Sequence, residues 1–278
     1  MRFASTRGIA DTSAAPTAEN AALLYGALFI IGVAASTFGS MVGLGGGFIM
    51  VPMLRLLFGL SPAMAAGTSL ILVVANSGSG SIAYLRQKRV DVHLGLLVAA
   101  GGFPGSILGA IVVNHVSGLV FDVLYAGFLI VVGFDIIFNR GKRLGNRSDD
   151  ANTANARRMP VSRALLIGLV LGFVSSLFGI GGGVILVPSL LYFSALPAHA
   201  ISATSHFAMA LTTPVGLVTQ LVQHNARLDY AIPLVAGGII GGQIGARISQ
   251  HLKSPMLIKL VAGALVAAAL TLALRHFV

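Results

Sequence analysis

The sequence predicts an all-α polytopic membrane protein built from two homologous halves, and three observations carry that prediction. Hydrophobic residues make up 56% of the chain and charged residues 9%, with a mean hydropathy of +0.91, so too few polar side chains exist to coat a water-soluble globule. Apolar runs that approach or exceed the roughly 20 helical residues needed to cross a hydrocarbon core of about 30 Å recur from Tyr25 to the C-terminus. Finally, GLGGGFIMVP, from Gly43 to Pro52, returns as GIGGGVILVP from Gly179 to Pro188.

The repeat keeps its register at an offset of 136 residues: Thr68-Ser69 aligns with Thr204-Ser205, Gly105 and Gly109 with Gly241 and Gly245, and Ala126-Gly127 with Ala262-Gly263. Duplication divides the chain into an N-terminal tail (1–21), a first transmembrane repeat (22–138), a linker (139–163) and a second transmembrane repeat (164–278). The tail holds Arg2, Arg7, Asp11 and Glu19 among small polar residues and lacks the apolar core of a cleavable signal peptide, so it reads as flexible chain.

Five apolar segments fill the first repeat: Tyr25 to Val42, Gly47 to Leu60, Ala63 to Leu85, Leu94 to Val113 and Leu119 to Phe138. Five more fill the second: Ala164 to Phe178, Gly183 to Phe193, Ala200 to Val222, Ile232 to Ile248 and Met256 to Leu274. The second segment of each repeat is too short to cross, about 21 Å and about 16 Å at 1.5 Å per residue. A short apolar helix behind a glycine cluster reads as a broken or re-entrant element, tolerated at depth only where protein or a watery cavity covers it.

Charge supplies the orientation. The linker carries Arg140, Lys142, Arg143, Arg147, Arg157, Arg158 and Arg163 against Asp149 and Asp150, half of the chain's net +10, which predicts a cytoplasmic location. Arg86, Lys88 and Arg89 form another basic turn. Its counterpart in the second repeat, Arg227 with Asp229, is neutral, and the basic turn has moved to Arg247 and Lys253. Such a switch predicts inverted-topology repeats, with a parallel repeat of four crossings per half as the rival. The cations sit between apolar runs and form no stripe along a helix, so nucleic acid is not an expected partner. The absence of cysteine excludes disulfides, thiolate metal sites and thiol catalysis.

The chemistry concentrates at the duplicated glycines. Gly45, Gly46 and Gly47, and likewise Gly181, Gly182 and Gly183, bring backbone close to a neighbour and open a helix whose first N–H groups lack intrahelical partners. With the positive end of the helix dipole, these donors suit an anion. The plain alternative is close helix packing, and the duplication of the whole block weighs against it. The third segment of each repeat carries unusual polar residues: Thr68, Ser69, Asn76 and Ser77 align with Thr204, Ser205, Thr212 and Thr213. They can donate to an anion without adding charge, or bond between helices and back to the preceding turn. His206 brings an imidazole, a group that ordinarily titrates near neutral pH and could bind the anion, relay a proton or be a satisfied interior histidine, and its counterpart Leu70 makes the two halves unequal. Arg55, Gln243 and Arg247 lie in or beside apolar segments; snorkelling to the interface accounts for the arginines. Asp135 lies near a segment end and no other acidic residue reads as deep, which disfavours cation transport. Metal transport fits worse, since His and Asp do not cluster. Asn76-Ser77-Gly78-Ser79 offers a serine for an intramembrane hydrolase, but the second copy reads Thr212-Thr213-Pro214 and no histidine has a claim as base.

The two glycine blocks, each followed by its Thr-Ser pair and by a glycine-rich segment such as GGQIGAR at Gly241 to Arg247, resemble the TauE/SafE family of membrane permeases over roughly Tyr25 to Leu274. The resemblance implies movement of sulfite, organosulfonates and related sulfur oxyanions across the bacterial inner membrane, usually as export. One departure is that Met41-Val42 precedes the first block where Leu177-Phe178 precedes the second. The expected function is therefore a secondary transporter of a small sulfur oxyanion, not an enzyme. Gly45 to Gly47, Gly181 to Gly183, Thr68, Ser69, Asn76, Thr204, Ser205, His206 and Thr212 are expected around the substrate, with the two halves rocking. A passive small-anion channel shares the composition, and a membrane scaffold would tolerate bulk at Gly46 and Gly182. Expected partners are the anion, the lipid bilayer and a coupling proton, with a homodimer left open; no cofactor or metal is expected.

Overall fold

The computed structural model describes residues 18–144, 159–194, 196–252 and Gly263. Most of the expected tail and linker, and nearly all of the tenth segment, lie outside the described residues. Within them the chain is helical, without strands: α1 (Ala18–Val42), α2 (Gly47–Leu56), α3 (Pro62–Arg86), α4 (Val92–Val112), α5 (Gly118–Leu144), α6 (Val161–Phe178), α7 (Gly183–Phe193), α8 (Ala198–Val222) and α9 (Ala231–Ile248). Six of these, α1, α3, α4, α6, α8 and α9, are long and apolar enough to cross a membrane. Leu, Ile and Val side chains such as Ile30, Leu96, Ile107, Val123, Leu166 and Ile240 are exposed around the outside, as a lipid-facing surface requires and a water-facing one would not tolerate.

Local chemistry sets the boundaries. Ser61 accepts from Met64 N–H and Pro62 follows at the first helical position, so α3 begins there. The Asp91 carboxylate caps α4 through Leu94 N–H at 3.0 Å. α2 stops at Leu56, four residues short of the expected Leu60, because Gly59 takes a φ of +62° and Leu60 N–H turns back to the Leu54 carbonyl. Inside α2, Pro52 lacks the N–H that would bond the Phe48 carbonyl. The Tyr125 hydroxyl of α5 donates to that oxygen instead, at 3.2 Å.

Glycine ladders decide which helices meet. Gly101, Gly105 and Gly109 of α4 lie against the carbonyls of Leu165, Leu169 and Phe173 of α6, so closely that a Cβ on any of the three would overlap the oxygen. The 136-residue counterparts Gly237, Gly241 and Gly245 of α9 lie the same way against Phe29, Val33 and Thr37 of α1. Glycines spaced by four let parallel backbones touch along a ridge. The first helix of each repeat therefore packs on the fourth helix of the other repeat, and the two repeats interleave.

At the centre, α3 and α8 are the most enclosed of the membrane-length helices. They run antiparallel: Thr68 near the start of α3 meets Arg227 just past the end of α8, and Thr204 near the start of α8 meets Asp91 just past the end of α3. Each contact maps onto the other under the 136-residue offset, so α3 and α8 are related by a pseudo-two-fold axis perpendicular to both. The two ends of the bundle differ in charge. The turn after α3 and the end of α9 come together through Gln87 to the Ala246 carbonyl and Arg89 to Ser249. α6, parallel to α4, starts at that same end. Arg86, Lys88, Arg89, Arg163 and Arg247 thus gather at one end. Among the described residues at the opposite end, Arg55 pairs with Asp122 and Arg227 with Asp229.

Candidate functional site

The site begins with backbone. Gly43, Gly45 and Gly46 have φ of +82°, +86° and +77°, and Gly179, Gly181 and Gly182 have +69°, +86° and +76°. The two turns share one conformation, in a region that L side chains rarely occupy. The fifth residue of each block has another task. A Cβ on Gly47 would overlap the Gly179 carbonyl, and a Cβ on Gly183 would overlap the Gly43 carbonyl. The starts of α2 and α7 therefore touch reciprocally in the buried middle of the bundle.

Most of the hydroxyls expected around a substrate are engaged in holding this crossing together. Ser69 donates to the Gly179 carbonyl at 2.8 Å, and Ser205 donates to the Gly43 carbonyl at 3.0 Å. The Thr68 hydroxyl accepts from Arg227 N–H at 3.0 Å, and that of Thr204 from Asp91 N–H at 2.9 Å. Thr212 and Thr213 bond back to the Ala208 and Met209 carbonyls.

The space next to both glycine turns is filled by two apolar side chains, Val73 and Met209, which are themselves 136-residue counterparts. Both lie in van der Waals reach of a Cβ on Gly45, and both approach Gly181. The first N–H of α7, on Gly183, points at the Met209 sulfur, 3.1 Å away. The expected anion seat between the helix starts is thus stoppered in this conformation, and one of its donors rests on a weak thioether acceptor.

One turn along from each stopper residue, toward the basic end, lies a polar chain. The Ser40 hydroxyl of α1 donates to Asn76 Oδ1 of α3 at 2.8 Å and sits 2.8 Å from His206 Nε2 of α8. All three residues are fully buried. Since the single Ser40 proton goes to Asn76, His206 Nε2 carries the N–H that donates to Ser40, and Nδ1 keeps a bare lone pair. That Nδ1, the Asn76 amide nitrogen and the Ser36 hydroxyl one turn before Ser40 have no hydrogen-bond partner although buried. Tyr84 closes one side: its hydroxyl donates to the Ser40 carbonyl at 2.6 Å, and its ring meets the His206 ring edge-on at 5.7 Å. Buried polar groups left unpaired in a native interior call for an explanation, and a ligand position is one. The Ser40–His206 contact superficially resembles a nucleophile and base, but no third group orients the imidazole as that chemistry needs.

The sequence alone did not single out five participants: Ser36, Ser40, Val73, Tyr84 and Met209. Ser40 recurs as Ser176 and Val73 as Met209, so the offset could have exposed them; Tyr84 recurs as Gln220, which likewise bonds the Ser176 carbonyl, at 3.2 Å. Arg55 requires a correction. Instead of snorkelling, it is buried, with a two-pronged bond to Asp122 at 2.9 and 2.6 Å and a third bond to the Leu60 carbonyl. Asp122, in the second turn of α5, is therefore a buried carboxylate, although it lies near the end of the bundle. Gln243 donates to the Ser79 carbonyl, and Arg247 is exposed.

An apolar-coated bundle with two half-helices meeting at its centre beside a buried polar chain defines a multi-pass membrane transport protein. The chain belongs to the family described as sulfite exporter TauE/SafE, which matches residues 28–272. It is 31% identical over 250 residues to the probable membrane transporter protein YunE of Bacillus subtilis, covering 84% of this chain and 92% of that one. It is 28% identical over 251 residues to the probable membrane transporter protein MJ0441 of Methanocaldococcus jannaschii, covering 83% and 90%. No solved structure matches it.

Proposed function

We propose that this protein is a secondary transporter that exports a small sulfur-containing oxyanion, such as sulfite or an organosulfonate, by alternating access. The observation that carries the reading is the reciprocal meeting of α2 and α7. Two helix starts, each with dipole and N–H groups directed at the buried centre, favour an anion without a buried lysine. The family description supplies sulfite. The substrate site comprises Gly45 to Gly47, Gly181 to Gly183, Asn76 and His206. Thr68, Ser69, Thr204, Ser205 and Thr212 serve beside it mainly as cross-bonds and back-bonds, and Met209 swings aside to admit the anion.

The antiparallel relation of α3 and α8 supports inverted topology, because a two-fold axis perpendicular to two membrane-crossing helices lies in the membrane plane. The basic end is then cytoplasmic, with the linker, in a bacterial inner membrane. The polar chain lies nearer that end, which suits collection of an anion from the cytoplasm and its export. The interleaving changes what rocks. The moving bodies are α1 with α9 and α4 with α6, each drawn from both repeats.

Counterflow of radiolabelled sulfite in proteoliposomes tests the function. Transient accumulation that unlabelled sulfite and sulfoacetate abolish, and acetate does not, is the expected result. Absence of counterflow from monodisperse protein would remove the sulfur-anion reading. The topology has its own test, since the chain has no cysteine. Lys88→Cys and His224→Cys, at exposed counterpart positions, should label from opposite faces of the membrane; labelling from the same face supports a parallel repeat.

A further inference from the structure

We infer that His206 is a proton site that couples the anion to one proton, so that the substrate crosses as an anion–proton pair. The inference rests on the transporter reading above and assigns its coupling. The polar chain runs from His206 Nε2–H to Ser40 and on to Asn76 Oδ1, leaving a bare acceptor at His206 Nδ1 and an unused donor pair on Asn76 Nδ2, both wholly buried. A proton arriving at Nδ1 turns the ring into an imidazolium in a site with no solvent to stabilise it. An anion arriving alone beside Asn76 faces the same difficulty. Each buried charge is tolerated only when the other is present, because lone buried charges are far more costly than paired ones. The step balances as one N–H bond formed at Nδ1 while an O–H bond of hydronium or of the anion's acid form breaks, leaving water or the anion; on release the N–H bond breaks and the proton returns to water or to the departing anion.

The surroundings leave this role to His206. Tyr84, from α3, faces the ring edge-on. Arg89 lies over the Tyr84 ring, with its guanidinium carbon 5.6 Å from that ring's centroid. Asp91 approaches through its N–H on Thr204, while its carboxylate caps α4. α1 presents Ser36 and Ser40. His93 of α4 and Arg247 of α9 are exposed. The other repeat lacks the device: Leu70 stands for His206, Thr212 is back-bonded where Asn76 has a free amide, and Gly172 stands for Ser36. Among the described residues there, the Ser175 and Ser176 hydroxyls are buried without a partner, and neither can take up a proton near neutral pH. A proton site on one side of the pseudo-two-fold axis makes the transport cycle directional in a way that two equal half-sites would not.

The test uses the full chain in proteoliposomes with labelled sulfite, comparing accumulation under an imposed pH difference with accumulation under an imposed membrane potential and with exchange at equilibrium. Protein-free vesicles correct for diffusion of the neutral acid. The wild type is expected to accumulate sulfite on the alkaline side at least tenfold over its level without a pH difference. His206→Gln, whose amide can still reach Ser40, is expected to slow exchange about tenfold and to lose the response to the pH difference altogether. Residual transport by His206→Gln that still follows the pH difference would overturn the proposal. So would a wild type whose accumulation under an imposed potential is unchanged by a superimposed pH difference, a measurement that holds even where the variant fails to fold. Wild-type exchange indifferent to pH would sink the coupling and spare the transporter; absence of wild-type exchange would sink both.

Discussion

Comparing the two repeats separates frame from chemistry. The contacts at the central crossing are duplicated: Gly47 and Gly183 on each other's turns, Ser69 and Ser205 on the opposite carbonyls, Thr68 and Thr204 on the opposite loops, and the glycine ladders of α4 and α9. What lies inside the frame is not. His206, Asn76 and Ser36 face Leu70, Thr212 and Gly172, and the buried Arg55–Asp122 pair has Leu191 where an arginine would stand. The duplicated contacts hold each repeat against the other's backbone from both sides, whereas a single functional group suffices for binding. The symmetry is that of the scaffold, and the asymmetry marks the site.

The strongest way to break this comparison is steric. Gly47→Leu should abolish folded protein, and Gly183→Leu should do so equally, since each drives a side chain into the other repeat's carbonyl at a cost of about 3 kcal/mol or more. Yield and monodispersity in detergent report it; a tolerant member of the pair would deny the reciprocity. Next comes the ion pair. Arg55→Leu leaves the Asp122 carboxylate buried and should destabilise by about 3–5 kcal/mol. Arg55→Leu with Asp122→Leu should recover most of that loss in thermal unfolding, and a double variant no better than the single would show that the pair itself is needed. Ser69→Ala and Ser205→Ala each remove one donor from a carbonyl and should cost about 1 kcal/mol apiece. Unequal losses would sharpen the picture by showing which glycine turn bears more strain. The smallest effect is expected at Gly78, where a Cβ meets nothing within 4 Å. Gly78→Ala should leave stability unchanged or raise it by up to about 1 kcal/mol.

Much of this was legible beforehand because the chain says it twice. The helices, the half-helix behind each glycine block and the gathering of basic turns at one end follow from apolar run length, glycine pattern and charge position, all local properties. The glycine block even divides by task once φ is known, with three residues for the left-handed region and the fifth for close approach. What escaped the sequence is what depends on a partner far along the chain. Thr68 and Ser205 read as substrate ligands because a hydroxyl in an apolar run looks the same whether it faces a ligand or a carbonyl of the other repeat. Arg55 read as interfacial because Asp122 lies 67 residues away, on a helix that sequence alone does not place against α2. Ser40 lay in the last turn of α1, one serine among several, until His206 and Asn76 were found against it.

The interleaved packing of α1 on α9 has a consequence for how the protein is made. α1 leaves the ribosome about two hundred residues before Gly237, Gly241 and Gly245 of α9, which at roughly 5–20 residues per second is a delay of about 10–40 s. α4 waits for α6 through only about sixty residues. During the longer interval the ridge of Phe29, Val33 and Thr37 has no intended neighbour. Although α1 is made long before α9, it is thus among the last of the described helices to meet its main neighbour.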